Sequence, residues 1–286
     1  MSNYSAICKK CNTFIHVEDI DNFPIQCEVC HTDHKIDSIM QDVEELDSYP
    51  IDPPYTYISI VKKIDSLHKI YRILEPYLSN DEKNVLLFIR NELISRLSVR
   101  LDELKEDPNT FLVSQFKIVV KEFRISLDEL LEKKLLFYLK SFFIGYDKID
   151  TLMKDPHIED ISCDGAKVPI YIHHRDYGSL ETTVVFDTED QLSQFVVKLA
   201  QKCGKNISVS KPMLDATMPE GSRIQMTLSG EITTRGSTFT IRKFRSDPIT
   251  PIDLIEYNTI SSEMMAYLWL AVEHGSNALV SGGTAS

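Results

Sequence analysis

Ser222-Arg223-Ile224-Gln225-Met226-Thr227-Leu228 and the later run Thr238-Phe239-Thr240-Ile241-Arg242-Lys243-Phe244 set the reading of this chain. In the first, Ile224, Met226 and Leu228 alternate with Arg223, Gln225 and Thr227; in the second, Phe239 and Ile241 alternate with Thr238, Thr240 and Arg242. Successive side chains leave a strand on opposite faces, so each run predicts a strand with one buried face. Arg223 and Arg242 then both point away from the apolar side. Exposed arginines are common, so from the pattern alone each reads as a solvated sheet residue.

On the N-terminal side, Val168, Ile170 and Ile172 alternate, as do Leu180, Thr182, Val184 and Phe186, around Asp176-Tyr177-Gly178, which predicts a hairpin. Asp187 or Thr188 caps a following helix that carries Leu192, Phe195, Val196 and Leu199 on one face and stops at Gly204. On the C-terminal side, Thr250 is the N-cap of a helix with Pro251 at its first position, and another helix runs to about His274. Asn277-Ala278-Leu279-Val280 is a short apolar run suited to a strand that delivers Ser281-Gly282-Gly283-Thr284-Ala285-Ser286. That stretch reads as the opening of a phosphate-binding loop, with Gly282 as the first glycine of G-x-x-x-x-G-K-[ST]. The second glycine, the lysine and the hydroxyl residue would come after Ser286. The alternative is a flexible glycine-containing tail.

Before Gly145 the pattern is helical. Ile60, Ile64, Leu67, Ile70, Tyr71 and Leu74 recur at helical spacing, and Ser79-x-x-Glu82 is a capping box for a helix bearing Val85, Leu86, Ile89, Leu93, Leu97 and Leu101. A third helix is expected over about 109–123. Ser126-x-x-Glu129 opens a fourth, with Leu130, Leu131, Leu135, Tyr138 and Leu139. Residues 56–145 thus read as a helical bundle without a catalytic cluster. The acidic segment 38–55, ending in Tyr49-Pro50-Ile51-Asp52-Pro53-Pro54, reads as a linker.

Within 1–37, Cys8-x-x-Cys11 and Cys27-x-x-Cys30 form two knuckles separated by fifteen residues. Each places two thiolates on one tight turn, and two such turns give the tetrahedral sulfur cage that Zn(II) prefers. A segment this short builds little core, so the metal would supply the folding energy. A rubredoxin-type iron site uses the same four ligands, and a pair of disulfides is disfavoured by the lack of a secretion signal. His16, His31 and His34 read as surface residues beside a closed four-sulfur sphere, and Cys163 and Cys203 as ordinary thiols.

The 286 residues, 43% hydrophobic and 26% charged, have a globular composition and room for two or three domains. A net charge of -12 disfavours nucleic acid as a partner and with it a zinc-ribbon factor acting on DNA. No apolar run reaches membrane-spanning length; the best, Leu135 to Ile144, is short and broken by Lys140. A soluble cytoplasmic protein is expected.

Several separate stretches, in order, then resemble one family. Gly145-Tyr146-Asp147-Lys148-Ile149-Asp150, Asp155-Pro156-His157-Ile158-Glu159-Asp160-Ile161-Ser162-Cys163-Asp164-Gly165, Gly221-Ser222-Arg223-Ile224-Gln225, Arg235-Gly236-Ser237-Thr238-Phe239-Thr240-Ile241-Arg242-Lys243-Phe244 and Gly282-Gly283-Thr284-Ala285-Ser286 look like the archaeal branch of the type II/type IV secretion ATPases, the hexameric motors of pili, archaella and secretion systems. The resemblance covers roughly the second half of the chain and implies a sheet-and-helix N-terminal ATPase domain at 146–245 and a linker plus the start of a RecA-like lobe at 246–286, which with the zinc-ribbon-like knuckles at 1–37, the linker at 38–55 and the helical domain at 56–145 makes a multidomain α+β protein. It implies ATP held by Gly282, Gly283, Thr284, Ala285 and Ser286, with Arg223 and Arg242 reaching the phosphates when the lobes close; Arg235 and Arg245 are further candidates. Mg(II), a magnesium-coordinating acidic segment and a catalytic glutamate belong to the longer protein, so the portion through Ser286 is expected to be inactive alone. The implied partners are further copies in a hexamer and a membrane platform protein that draws the motor to the membrane periphery. A non-enzymatic zinc-containing docking module is the alternative from another class.

Overall fold

The computed structural model describes residues 4–7, 14–17, 25–26, 33–34, 43–63, 68–97, 107–228, 233, 236–244 and 250–281. The chain divides into two compact units, Met1–Phe244 and Arg245–Ser286. Cys8, Cys11, Cys27, Cys30, Arg235, Arg245 and Gly282 to Ser286 lie outside the described residues.

The first unit is α+β. It opens with two short antiparallel ladders, β1 (Tyr4–Ile7) with β2 (Phe14–Val17) and β3 (Ile25–Gln26) with β4 (Asp33–His34). The remaining strands form one nine-stranded mixed sheet. They are β5 (Val43–Asp52), β6 (Thr56–Lys63), β7 (Lys69–Leu74), β8 (Ile158–Cys163), β9 (Pro169–His174), β10 (Gly178–Val185), β11 (Met213–Thr217), β12 (Arg223–Thr227) and β13 (Thr238–Arg242). Their order is β11-β12-β13-β8-β9-β10-β7-β6-β5. The β10–β7 ladder is parallel and has only two paired positions; the others are antiparallel.

Register explains the core. Ala216, Ile224, Ile241, Ile161, Ile172 and Leu180 are successive partners across six strands. All but the half-buried Ala216 are buried, in one cluster with Leu192, Phe195, Val196 and Leu199 of the helix Glu189–Lys202. Thr188 caps that helix by accepting from the Gln191 N–H, and Gly204, at φ +66, follows its end, where a left-handed residue suits glycine.

A second, smaller core belongs to three helices. These are α1 (Asn80–Leu97), α2 (Pro108–Glu122) and α3 (Glu129–Phe143), closed on Ile89, Leu93, Leu112, Phe116, Val119, Leu135 and Leu139. The expected capping box holds: the Ser79 N–H donates to Glu82 Oε2 at 2.6 Å and the Glu82 N–H to Ser79 Oγ at 3.2 Å. The cap of α3 is Asp128, which accepts from the Leu131 N–H, rather than Ser126. After α3 come the short helix α4 (Asp150–Lys154) and then Glu189–Lys202, which is α5. Lys198 and Lys202 of α5 donate to the carbonyls of Phe142 and Ile144 at 2.6 and 2.8 Å, satisfying acceptors at the end of α3 that have no intrahelical partner. Beside them Gly145 leaves space for Asp150 Oδ1, which would lie 2.2 Å from an added Cβ and accepts the Tyr146 N–H at 2.9 Å.

Two expectations are corrected here. The segments expected to be helical at 56–63 and 69–74 make β6 and β7, whose Ile58, Ile60 and Tyr71 belong to the sheet's core, while Ile64 and Leu67 lie outside the described residues. The stretch read as a linker is largely β5. Pro50 fits there because β5 is the edge of the sheet, where a missing N–H breaks no interior ladder, and Pro53 and Pro54 form the turn into β6.

The sheet is strongly coiled. β5 and β9 are four strand spacings apart in the sheet order, about 19 Å if it were flat. Yet Tyr49 Oη of β5 lies 3.1 Å from His174 Nε2 of β9 and donates to Asp155 Oδ2 at 2.8 Å. Tyr71 Oη donates to the same oxygen at 2.6 Å and the His157 N–H to Oδ1 at 2.8 Å, so Asp155, wholly buried, accepts three hydrogen bonds. Burial, then the Asp155 charge, push both tyrosine hydroxyls far above their ordinary range, keeping them as donors. Burial also holds the His174 imidazole below its ordinary value.

The second unit carries α6 (Pro251–Glu256) and α7 (Ser262–Glu273). Thr250 and Asp253 form a capping box at α6, and Gly275, at φ +71, follows α7. Asn277 to Val280 is irregular rather than the expected strand: a strand is defined by its ladder, and among the described residues none pairs with it.

Candidate functional site

β12 and β13 place Arg223 and Arg242 directly opposite each other in register, both exposed, while their neighbours Ile224 and Ile241 are paired and buried on the other face. Like charges so placed repel, and a carboxylate between them would relieve that. Asp160, the register partner of Arg242 on β8, comes no nearer than 4.0 Å to its Nε, and the Arg242 side chain is 73% exposed. Among the described residues no carboxylate forms an ion pair with Arg223. The two guanidiniums border an open groove of about 570 Å³, with Lys205, Asp215, Thr217, Gln225 and Thr240 around them. Lys205 Nζ donates to the Asp215 carbonyl at 2.9 Å, which fixes the lysine at the rim.

The backbone that carries the pair is held at both ends. Gly221, at φ +97, closes the β11–β12 turn by donating to the Met218 carbonyl, and a Cβ there would come within 3.2 Å of the Phe244 ring. The Phe244 N–H donates to Ser222 Oγ at 3.0 Å, tying the end of β13 to the start of β12. Lys243 points inward and donates to the carbonyls of Leu152, at 3.1 Å, and Asp155. Burial pulls its ammonium down to about 8.

The groove therefore offers two fork-shaped donors, a third cation and several hydroxyl or amide groups against one carboxylate, that of Asp215, a net positive set suited to a polyanion with tetrahedral oxygens. Of the residues singled out in the sequence for nucleotide, the structure brings Arg223 and Arg242 together; Gly282 to Ser286 lie outside the described residues. Lys205 and Thr217 were missed because their place at the groove depends on which strands pair. The buried Cys163 thiol, pushed up to about 11 by burial, is inert at neutral pH, as expected of an ordinary core thiol.

The "Uncharacterized protein MJ1288" of Methanocaldococcus jannaschii is 34% identical over 202 residues, covering 69% of this chain and 80% of that protein. This chain belongs to the family of MJ1288. From the same organism, MJ0900 is 34% identical over 171 residues and MJ0781 is 29% identical over 265, covering 60% and 89% of this chain. The chain spans 30% and 35% of those two longer proteins. No sequence profile of a described protein family matches it. Among solved structures, the VirB11 ATPase of the Brucella suis type IV secretion system, in complex with sulphate, aligns with a TM-score of 0.35 and 19% identity over 45% of this chain and 40% of that one, a likeness too slight to decide fold or function.

Proposed function

We propose that this chain is the N-terminal part of a hexameric ATP-hydrolysing motor that powers pilus-like filament assembly or type II/type IV secretion. The observation that carries the reading is the register pairing of Arg223 with Arg242, two exposed guanidiniums held side by side over a groove with only a loose carboxylate contact. A triphosphate supplies the missing negative charge, and planar, permanently charged donors suit its oxygens. In this reading Gly282 to Ser286 open the phosphate loop of an ATPase lobe, Mg(II) enters with the nucleotide, and closure of that lobe brings the phosphates to the arginines. The partners are further copies of the chain and a membrane platform protein, reached from the cytoplasm. No helix among the described residues is long and apolar enough to cross a membrane.

The test uses a protein of this family that carries the whole phosphate loop. Arg242→Ala and Arg223→Ala should each lower ATP turnover on the order of 100-fold or more while leaving the melting temperature unchanged. Unchanged turnover in both removes the groove from the mechanism and favours a non-enzymatic docking module.

The four cysteines Cys8, Cys11, Cys27 and Cys30 hold a structural Zn(II) in the same reading. Each Cys-x-x-Cys falls between the two strands of a short ladder, the setting in which a tight turn presents two thiolates. Zinc here would act on folding alone, by tying two hairpins together. A colourless protein whose far-ultraviolet signal weakens on chelation supports zinc; a red one assigns iron.

A further inference from the structure

We propose a second metal site, independent of the cysteines and of the nucleotide reading, in which His157, His174 and Asp176 bind a divalent ion of the zinc, cobalt or nickel type. One ligand atom from each lies within 4.8 Å of the others. Asp176 Oδ2 stands 3.5 Å from His157 Nδ1 and 3.9 Å from His174 Nδ1, too far for hydrogen bonds to either. For metal–ligand bonds of about 2.0–2.2 Å in a tetrahedral site, ligand atoms lie about 3.4 Å apart, so the Asp176–His157 pair already fits and the widest pair must close by up to about 1.4 Å. The two imidazoles are stacked within 5° of parallel at 5.4 Å with both Nδ1 atoms near the same carboxylate, so the half-exposed His157 ring must turn for its in-plane lone pair to meet that of His174 at one ion.

The surroundings fix the tautomer a ligand needs. His174 is 1% exposed, and its Nδ1 accepts the Asp176 N–H at 3.1 Å, so the ring proton sits on Nε2 and faces Tyr49 Oη, which in turn donates to Asp155. A relay from the far ring nitrogen to a carboxylate is how metal-binding histidines are commonly oriented. The ion would take the Nδ1 lone pair now shared with the Asp176 amide, so binding requires that amide, in the β9–β10 turn, to give up its bond to the ring. Asp176 and His157 have side chains 60% and 43% exposed, so an ion can enter and a water can fill the fourth position. Two nitrogens and one oxygen suit borderline metals rather than calcium or magnesium.

The full chain is equilibrated with Zn(II) alone, desalted and analysed for metal, beside His157→Gln and Asp176→Asn. His174 is left intact because its buried hydrogen bonds would confound the result. Each variant is expected to hold one zinc fewer per chain than the wild type and to lose the zinc-dependent rise in melting temperature at this site. The cysteine site contributes equally to all three proteins, so the difference reads the histidine site whatever the knuckles do. Equal metal content in all three, with circular dichroism showing that the variants fold, overturns the proposal and leaves a surface His–Asp pair.

Discussion

Arg242 and Lys243 are adjacent, and strand alternation sends them to opposite fates. Arg242 is exposed over the groove, while Lys243 is drawn inward to the carbonyls of Leu152 and Asp155. A lysine whose folded-state value is depressed to about 8, against an ordinary 10.5, makes the fold bind fewer protons than the unfolded chain between those two pH values. Its penalty is therefore full below about pH 8 and vanishes above about pH 10.5, and stability should rise with pH through that window. Denaturant titrations of wild type and Lys243→Met across it should show the wild type gaining on the variant as pH increases; parallel curves would place the ammonium in contact with water. The outward direction of both arginines was legible in the sequence, since it needs only the period of one strand. Their pairing was not, because register is set by the partner strand and by the glycine turn at Gly221. The acceptor role of Asp155 was equally hidden: its donors Tyr71 and Tyr49 lie 84 and 106 residues away.

Among the elements, the hairpin β9–β10, helix α5, the strands β12 and β13 and the capped helices α1 and α6 follow their sequence signals closely, because each carries its own punctuation at its ends. β6 and β7 did not. Thr56, Ile58, Ser59, Ile60 and Val61 are all buried, so β6 has no polar face and lacks the period of two; the spaced apolar residues beyond it then imitate a helix. The β-branched density of Thr56, Ile58, Ile60 and Val61 was the signal available. Part of the joint between the three helices and the sheet is made by α5, whose Lys198 and Lys202 close the end of α3, beside the Tyr138 hydroxyl on the Pro76 carbonyl and the Tyr55–Phe137 stack. Lys202→Met should cost about 1 kcal/mol in overall stability and raise amide exchange in α3 more than in β8 or β9; uniform exchange would mean the joint is held by the apolar contacts alone. Gly145→Ala drives a methyl onto Asp150 Oδ1 and should be more disruptive, about 2 kcal/mol or more, read as a lowered denaturation midpoint.

Over the whole molecule, the negative net charge of -12 makes a cationic groove an exception. Exposed ionic contacts are screened by salt, so tripolyphosphate bound at Arg223 and Arg242 should lose affinity steadily as sodium chloride is raised, and Arg242→Ala should flatten that dependence. An affinity indifferent to salt would place the anion elsewhere. The sheet itself has a narrow seam, the two-position parallel ladder between β7 and β10, reinforced by the hydroxyls of Tyr49 and Tyr71 on Asp155. Asp155→Ala strands the buried Tyr71 hydroxyl and the half-buried Tyr49 hydroxyl and His157 amide, and should remove about 2–4 kcal/mol, seen in chemical denaturation. The seam also sets an order of events as the chain folds. Closing it joins Tyr49 to His174 across 125 residues, a loop whose entropy must be lost before any contact repays it, whereas β8, β9 and β10 meet through short turns. β5, β6 and β7 are accordingly expected to dock after β8, β9 and β10 on refolding, and pulse-labelled amide exchange that protects β6 as early as β9 would overturn that order.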